Sequence, residues 1–162
     1  MSPVSRRGHR HMSDATGGFD PSHLDGFVGT WAVDGAHALL PGEPIRGETS
    51  FEWLGGGPFL VQRSSFDHPK IPDGITLIGL VDARPCMSYF DARGVHRVYD
   101  VETREGVLLW TLTSPGFSQR YVAEVRDGGR VIEASGELSR DDVSWQRDLS
   151  LTYRRPASAR GR

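Results

Sequence analysis

Apolar and polar residues alternate with a period of two along most of this chain, which marks half-buried strands rather than amphipathic helices. In residues 45–54, Ile45, Gly47, Thr49, Phe51 and Trp53 share one face, and Arg46, Glu48, Ser50 and Glu52 the other. Residues 118–126 repeat the pattern, with Gln119, Tyr121, Ala123 and Val125 against Ser118, Arg120, Glu124 and Arg126. So do residues 130–138, where Ile132, Ala134, Gly136 and Leu138 oppose Glu133, Ser135 and Glu137. In residues 144–154 the same phasing sets Trp145, Arg147, Leu149, Leu151 and Tyr153 against Gln146, Asp148, Ser150 and Thr152. The first row of each pair is expected to face inward. Further strands are expected at 28–36, 58–66, 74–82, 86–91, 95–102 and 107–113.

Turn-forming clusters separate these runs: Gly55-Gly56-Gly57, Pro72-Asp73-Gly74, Asp91-Ala92-Arg93-Gly94, Arg104-Glu105-Gly106, Ser114-Pro115-Gly116, Asp127-Gly128-Gly129 and Arg140-Asp141-Asp142. Short strands repeating every ~8–12 residues, with no long helical pattern between them, predict an antiparallel meander. About ten strands in an open sheet would leave two unpaired edges, so closure into an up-and-down barrel is expected. A sandwich is the structural alternative. Ahead of the first strand, Asp20 can cap a single helical turn with Pro21 at its first position and Gly26 as terminator. That turn is expected to plug one end of the barrel. Residues 1–18 lack periodicity and read as a disordered arm, residues 19–155 as the barrel, and residues 156–162 as a frayed tail.

Composition narrows the function classes. A chain of 162 residues is expected to form one domain, and its net charge of −2 offers no electrostatic reason to bind nucleic acid or an anionic membrane. No apolar run approaches a membrane span, and no apolar stretch follows the N-terminal arginines as in a secretory signal. Cys86 is the only cysteine, so no internal disulfide can form, and a cytoplasmic location is expected. No nucleophile elbow, P-loop or zinc signature occurs, and neither a metal nor a cofactor is expected. The expected partner is a small molecule, and the reading allows a homodimer.

The candidate ligand-binding residues are the few polar groups in the inward rows, together with the aromatic wall. Arg147 stands between Trp145 and Leu149 and, if buried, needs an anion or a carboxylate, because an unpaired buried guanidinium is costly. Gln119 and Tyr121 are the other inward hydrogen-bonding groups, and Trp53, Trp110 and Trp145 supply broad faces for a flat ligand. Residues 95–102 phase either way. Arg97 and Tyr99 share one face, where they would clamp a carboxylate as the Arg-x-Tyr of fatty-acid carriers does, and His96 lies on the other. His68, beside Asp67, reads either as a surface histidine or as a base or haem ligand at the barrel mouth.

Several short runs together resemble a known group. Gly29-Thr30-Trp31, Phe51-Glu52-Trp53-Leu54-Gly55-Gly56, Phe59-Leu60-Val61, Tyr89-Phe90-Asp91-x-Arg93-Gly94-Val95 and Pro115-Gly116-Phe117-Ser118 are similar to the small lipocalin-like barrels of the DUF1579 type, over residues 24–155. The resemblance implies a calycin-type, fatty-acid-binding-like barrel whose hydrophobic cavity holds a small, largely apolar or aromatic molecule. It also implies that Trp31 packs at the closed end beneath a basic residue of the last strand, Arg154 or Arg155. A cyclase or isomerase of secondary metabolism using the same cavity is the alternative function. The haem-binding nitrobindin-like barrels share the Gly-x-Trp start and carry a late haem-ligating histidine. Here the last histidine is His96, which argues against haem.

Overall fold

A computed structural model describes residues 18–157. The chain is all-β: ten antiparallel strands closed into one barrel, each paired with its neighbours in sequence and the last paired with the first. The strands are β1 (Gly29–His37), β2 (Ile45–Trp53), β3 (Leu60–Phe66), β4 (Gly74–Val81) and β5 (Arg84–Asp91), then β6 (His96–Arg104), β7 (Val107–Leu112), β8 (Ser118–Arg126), β9 (Val131–Ser139) and β10 (Gln146–Arg154). Each lies within a few residues of its expected position. The reason is local: period-two alternation fixes the strand, and glycines with positive φ, such as Gly94, Gly106 and Gly116, end it. Apart from Gly18, Pro156 and Ala157, the expected arm and tail lie outside the described residues. The Gly18 carbonyl accepts from the Thr103 amide at 3.1 Å.

A seven-residue 3-10 helix, Pro21–Phe27, precedes β1, with Asp20 accepting from the Ser22 amide at its start. The helix runs through Gly26 instead of stopping there. Its Leu24 and Phe27 are fully buried, and it packs on β6 and β7. At the same end Trp31 is wholly enclosed, and its indole N–H donates to the Phe27 carbonyl at 2.8 Å. The Arg155 guanidinium lies 4.1 Å from the centre of the Trp31 ring and donates to the carbonyls of Val28 and Gly129. It crosses the chain at Gly29, where φ is +129° and a Cβ would collide with it. The Gly-x-Trp spacing thus provides both the indole and the gap through which its cation reaches it.

The inward rows expected on β2, β8 and β9 do face inward, with Ile45, Thr49, Phe51, Gln119, Ala123 and Ile132 all buried. Strand β10 departs from its expected phasing. Its register with β9 runs Arg147↔Glu137 and then Ser150↔Ser135, so three steps on β10 match two on β9. The extra residue is a β-bulge, and it inverts the alternation on one side of itself. Leu151 and Tyr153 point in as expected, whereas Arg147 is exposed on the outer wall and Asp148, assigned outward by simple alternation, turns in and is only 9% exposed.

Candidate functional site

Strand ends at the mouth of the barrel surround a pocket of about 350 Å³. This is the end opposite the 3-10 helix, bounded by the loops after β1, β3, β5, β7 and β9. Its aromatic side consists of Trp110 and Tyr121, stacked at 5.2 Å between ring centres and 9° between planes, with Tyr89, Tyr99 and Phe117 nearby. Gly136 on β9 makes that stack possible, because a Cβ there would occupy the space of the Tyr121 ring.

The polar side is a continuous chain of hydrogen bonds from β6 through β8 to β10, with His37 of β1 beside its end. Tyr99 donates its hydroxyl to Gln119 Oε1 at 2.9 Å. The Gln119 amide donates to the Tyr121 hydroxyl at 2.9 Å and, at 3.4 Å, to Asp148 Oδ2. Tyr121 in turn donates a short bond to the same carboxylate oxygen. From the other side His37 Nε2 stands 3.1 Å from Asp148 Oδ1. The Leu39 amide donates to His37 Nδ1 at 3.0 Å. The bulge brings the carboxylate inward, where the Gln119 amide and the Tyr121 hydroxyl donate to it and offset part of the cost of removing it from water. Burial, and next the Asp148 carboxylate beside it, hold the Tyr121 phenol far above its ordinary pKa, so it stays protonated. Burial likewise raises Tyr99.

Arg97 lines the same pocket, with its guanidinium 5.0 Å from the Phe117 ring centre. Among the described residues it has no carboxylate partner. Lys70, Arg93 and Arg140 also line the pocket and make its surroundings basic. Arg93 is engaged by Asp91, whose carboxyl also accepts from Tyr89 and is held well below the usual carboxylate range, chiefly by its bond to Arg93. The loops after β1 and β3 are tied together where His68 Nε2 meets Glu43 Oε2 at 2.7 Å. His68 is therefore neither paired with Asp67 nor freely exposed; its side chain is 9% exposed, against Glu43. Among the described residues no group of three His, Cys, Asp or Glu side chains is placed to hold a metal ion.

Five of the expected ligand-binding residues, Gln119, Tyr121, Trp110, Arg97 and Tyr99, come together here. Four do not. Arg147 lies outside the barrel because of the bulge, opposite Glu137. Trp145 precedes β10 and lies under the exposed Arg120, whose guanidinium is 4.0 Å from its ring centre. His96 follows from the phase of β6: with Arg97 and Tyr99 inward it must face outward, where it stacks on Phe90 at 4.5 Å. Trp53 ends β2 opposite Leu60, at the far end of the barrel from the pocket. Asp148 was assigned to the outward row by the sequence reading, and His37, an ordered candidate for acid–base work or metal ligation there, was not placed among the ligand-binding residues. Gly136, the one residue without a side chain in the inward row facing Asp148, was the available signal that something large enters there.

The fold has a counterpart among solved structures. The crystal structure of Rv2717c from M. tuberculosis matches with a TM-score of 0.55 at 14% sequence identity, covering 83% of this chain and 95% of that one. At this identity the likeness is one of fold. No family model matches the chain. No curated protein matches it either. No helix among the described residues is long and apolar enough to cross a membrane.

Proposed function

We propose that this protein binds a small molecule with a flat, largely apolar or aromatic body in the pocket at the mouth of the barrel. The observation that carries this reading is the pairing of the Trp110–Tyr121 stack with a half-buried Arg97 that has no carboxylate partner among the described residues and faces the same space of about 350 Å³. A core serving stability alone gains little from a guanidinium without a counter-ion, and interiors of this kind are normally filled by side chains. The volume lies at the small end of ligand pockets, which suits one or two fused rings better than a long acyl chain. The lipocalin-like resemblance supports the same reading, as does the helix at the opposite end, whose buried Leu24 and Phe27 leave the mouth as the route of entry.

The test is binding of 1-anilinonaphthalene-8-sulfonate, an anionic aromatic dye that brightens in apolar surroundings. Saturable binding of one dye per chain is expected, with loss of binding in Leu138→Trp, which fills the pocket at the mouth end of β9. Binding that is unsaturable, or unchanged in Leu138→Trp, would reject the pocket as the site.

A further inference from the structure

The hydrogen bonds along the polar wall run in one direction, and that direction constrains what the pocket accepts. Gln119 sets it. Were its amide turned around, its oxygen would face the Asp148 carboxylate at 3.4 Å, acceptor against acceptor, so the amide nitrogen must point there and the oxygen toward Tyr99. Tyr99 then donates to Gln119, Gln119 to Tyr121 and Asp148, and Tyr121 to Asp148.

Each hydrogen on this wall is therefore spent within the protein. The unused capacity is of one kind: lone pairs on the two phenol oxygens and on the carboxylate. Arg97 offers the reverse, since its donors are unmatched by any carboxylate among the described residues. A ligand that covers these remaining lone pairs without supplying a donor strips them of water and returns nothing, and that cost discriminates more strongly than apolar contact does.

We infer that the ligand is two-ended, with an acidic or carbonyl oxygen for Arg97 and a hydrogen-bond donor, a hydroxyl or an N–H, for the acceptor wall of Tyr99, Tyr121 and Asp148. Hydroxylated aromatic acids and their amino counterparts are the matching chemical class. The inference rests on the binding reading above and specifies the ligand that reading leaves open.

Three naphthoates separate the two by calorimetry: 6-hydroxy-2-naphthoate, which carries both ends, 6-methoxy-2-naphthoate, which replaces the donor by an acceptor of similar shape, and unsubstituted 2-naphthoate. The hydroxy acid is expected to bind at least tenfold more tightly than the methoxy acid, the ordinary penalty for a lost hydrogen bond to a charged acceptor. In Asp148→Asn that preference should shrink to about threefold or less, because an amide presents its own donor. Tyr99→Phe removes one acceptor while leaving the bonds of Gln119 and Tyr121 to the carboxylate in place and should also narrow the gap, so the test survives if Asp148→Asn fails to fold. Arg97→Gln should weaken all three probes together. Equal affinity of the hydroxy and methoxy acids for the native protein would overturn the donor requirement and leave the binding reading standing. Failure of all three to bind would overturn that reading, and the inference with it.

Discussion

All four tyrosines of the chain, Tyr89, Tyr99, Tyr121 and Tyr153, resist ionisation in the fold, and burial is the largest cause for each. For Tyr89 and Tyr121 a bonded carboxylate, Asp91 and Asp148 respectively, adds to the effect. The perturbation that exposes this is alkali. An unfolded tyrosine ionises near pH 10, whereas these keep their protons, so above that pH the unfolded chain binds fewer protons than the native one and stability falls. The contribution is fully present below pH 10 and is lost as pH rises above it. Each tyrosine that stays neutral removes about 1.4 kcal/mol by pH 11, so Tyr121 and Tyr153 together remove up to about 3 kcal/mol, with Tyr89 and Tyr99 adding less than a full share each. That is a sizeable fraction of the stability of a typical domain, ~5–15 kcal/mol. Absorbance at 295 nm, followed while pH is raised, is expected to show almost no tyrosinate until one cooperative step in which all four appear with loss of the far-ultraviolet β signal. Urea titrations at pH 8 and pH 11 should differ by that margin. A gradual titration centred near pH 10 with the barrel intact would refute the enclosure of these phenols.

Trp31→Ala is expected to cost roughly 3–5 kcal/mol in urea unfolding, because it empties a fully buried site and strands the Arg155 guanidinium; a loss below about 1 kcal/mol would contradict the role given to the closed end. Gly136→Ala should cost about 1–3 kcal/mol and weaken the naphthoate probes, because its new methyl displaces the Tyr121 ring from Trp110 and Asp148; unchanged stability and affinity would mean that the ring has somewhere else to go.

Strand positions and most faces could be read in the sequence because they depend on neighbours one and two residues away. The face of β6 was open on paper, since Arg97 and Tyr99 fit either side, and only the pairing of Tyr89 with Arg97 across β5 settles it. Asp148 was misplaced for a physical reason. A bulge is a one-residue slip that leaves both halves of a strand properly alternating, so β10 looks regular on either side of the error. His37 carries no local signal, because its meaning comes from a carboxylate supplied by the last strand. Trp53 and Trp145 show the same limit from the other direction: aromatic composition identifies a wall-former but not its height on the barrel or its side of the sheet.

Strand β10 is the last to join the ring, and it does so against β1, with His37 opposite Leu149 and the Ala38 amide on the Asp148 carbonyl. The polar centre of the pocket therefore straddles the seam where the two ends of the barrel meet. A growing chain that has emerged as far as β9 holds the aromatic stack, Gln119 and Arg97, but neither the carboxylate nor the surface that aligns His37. The pocket is complete only when the ring is closed, so on the binding reading proposed above a bound molecule would favour the closed ring over one parted at this seam.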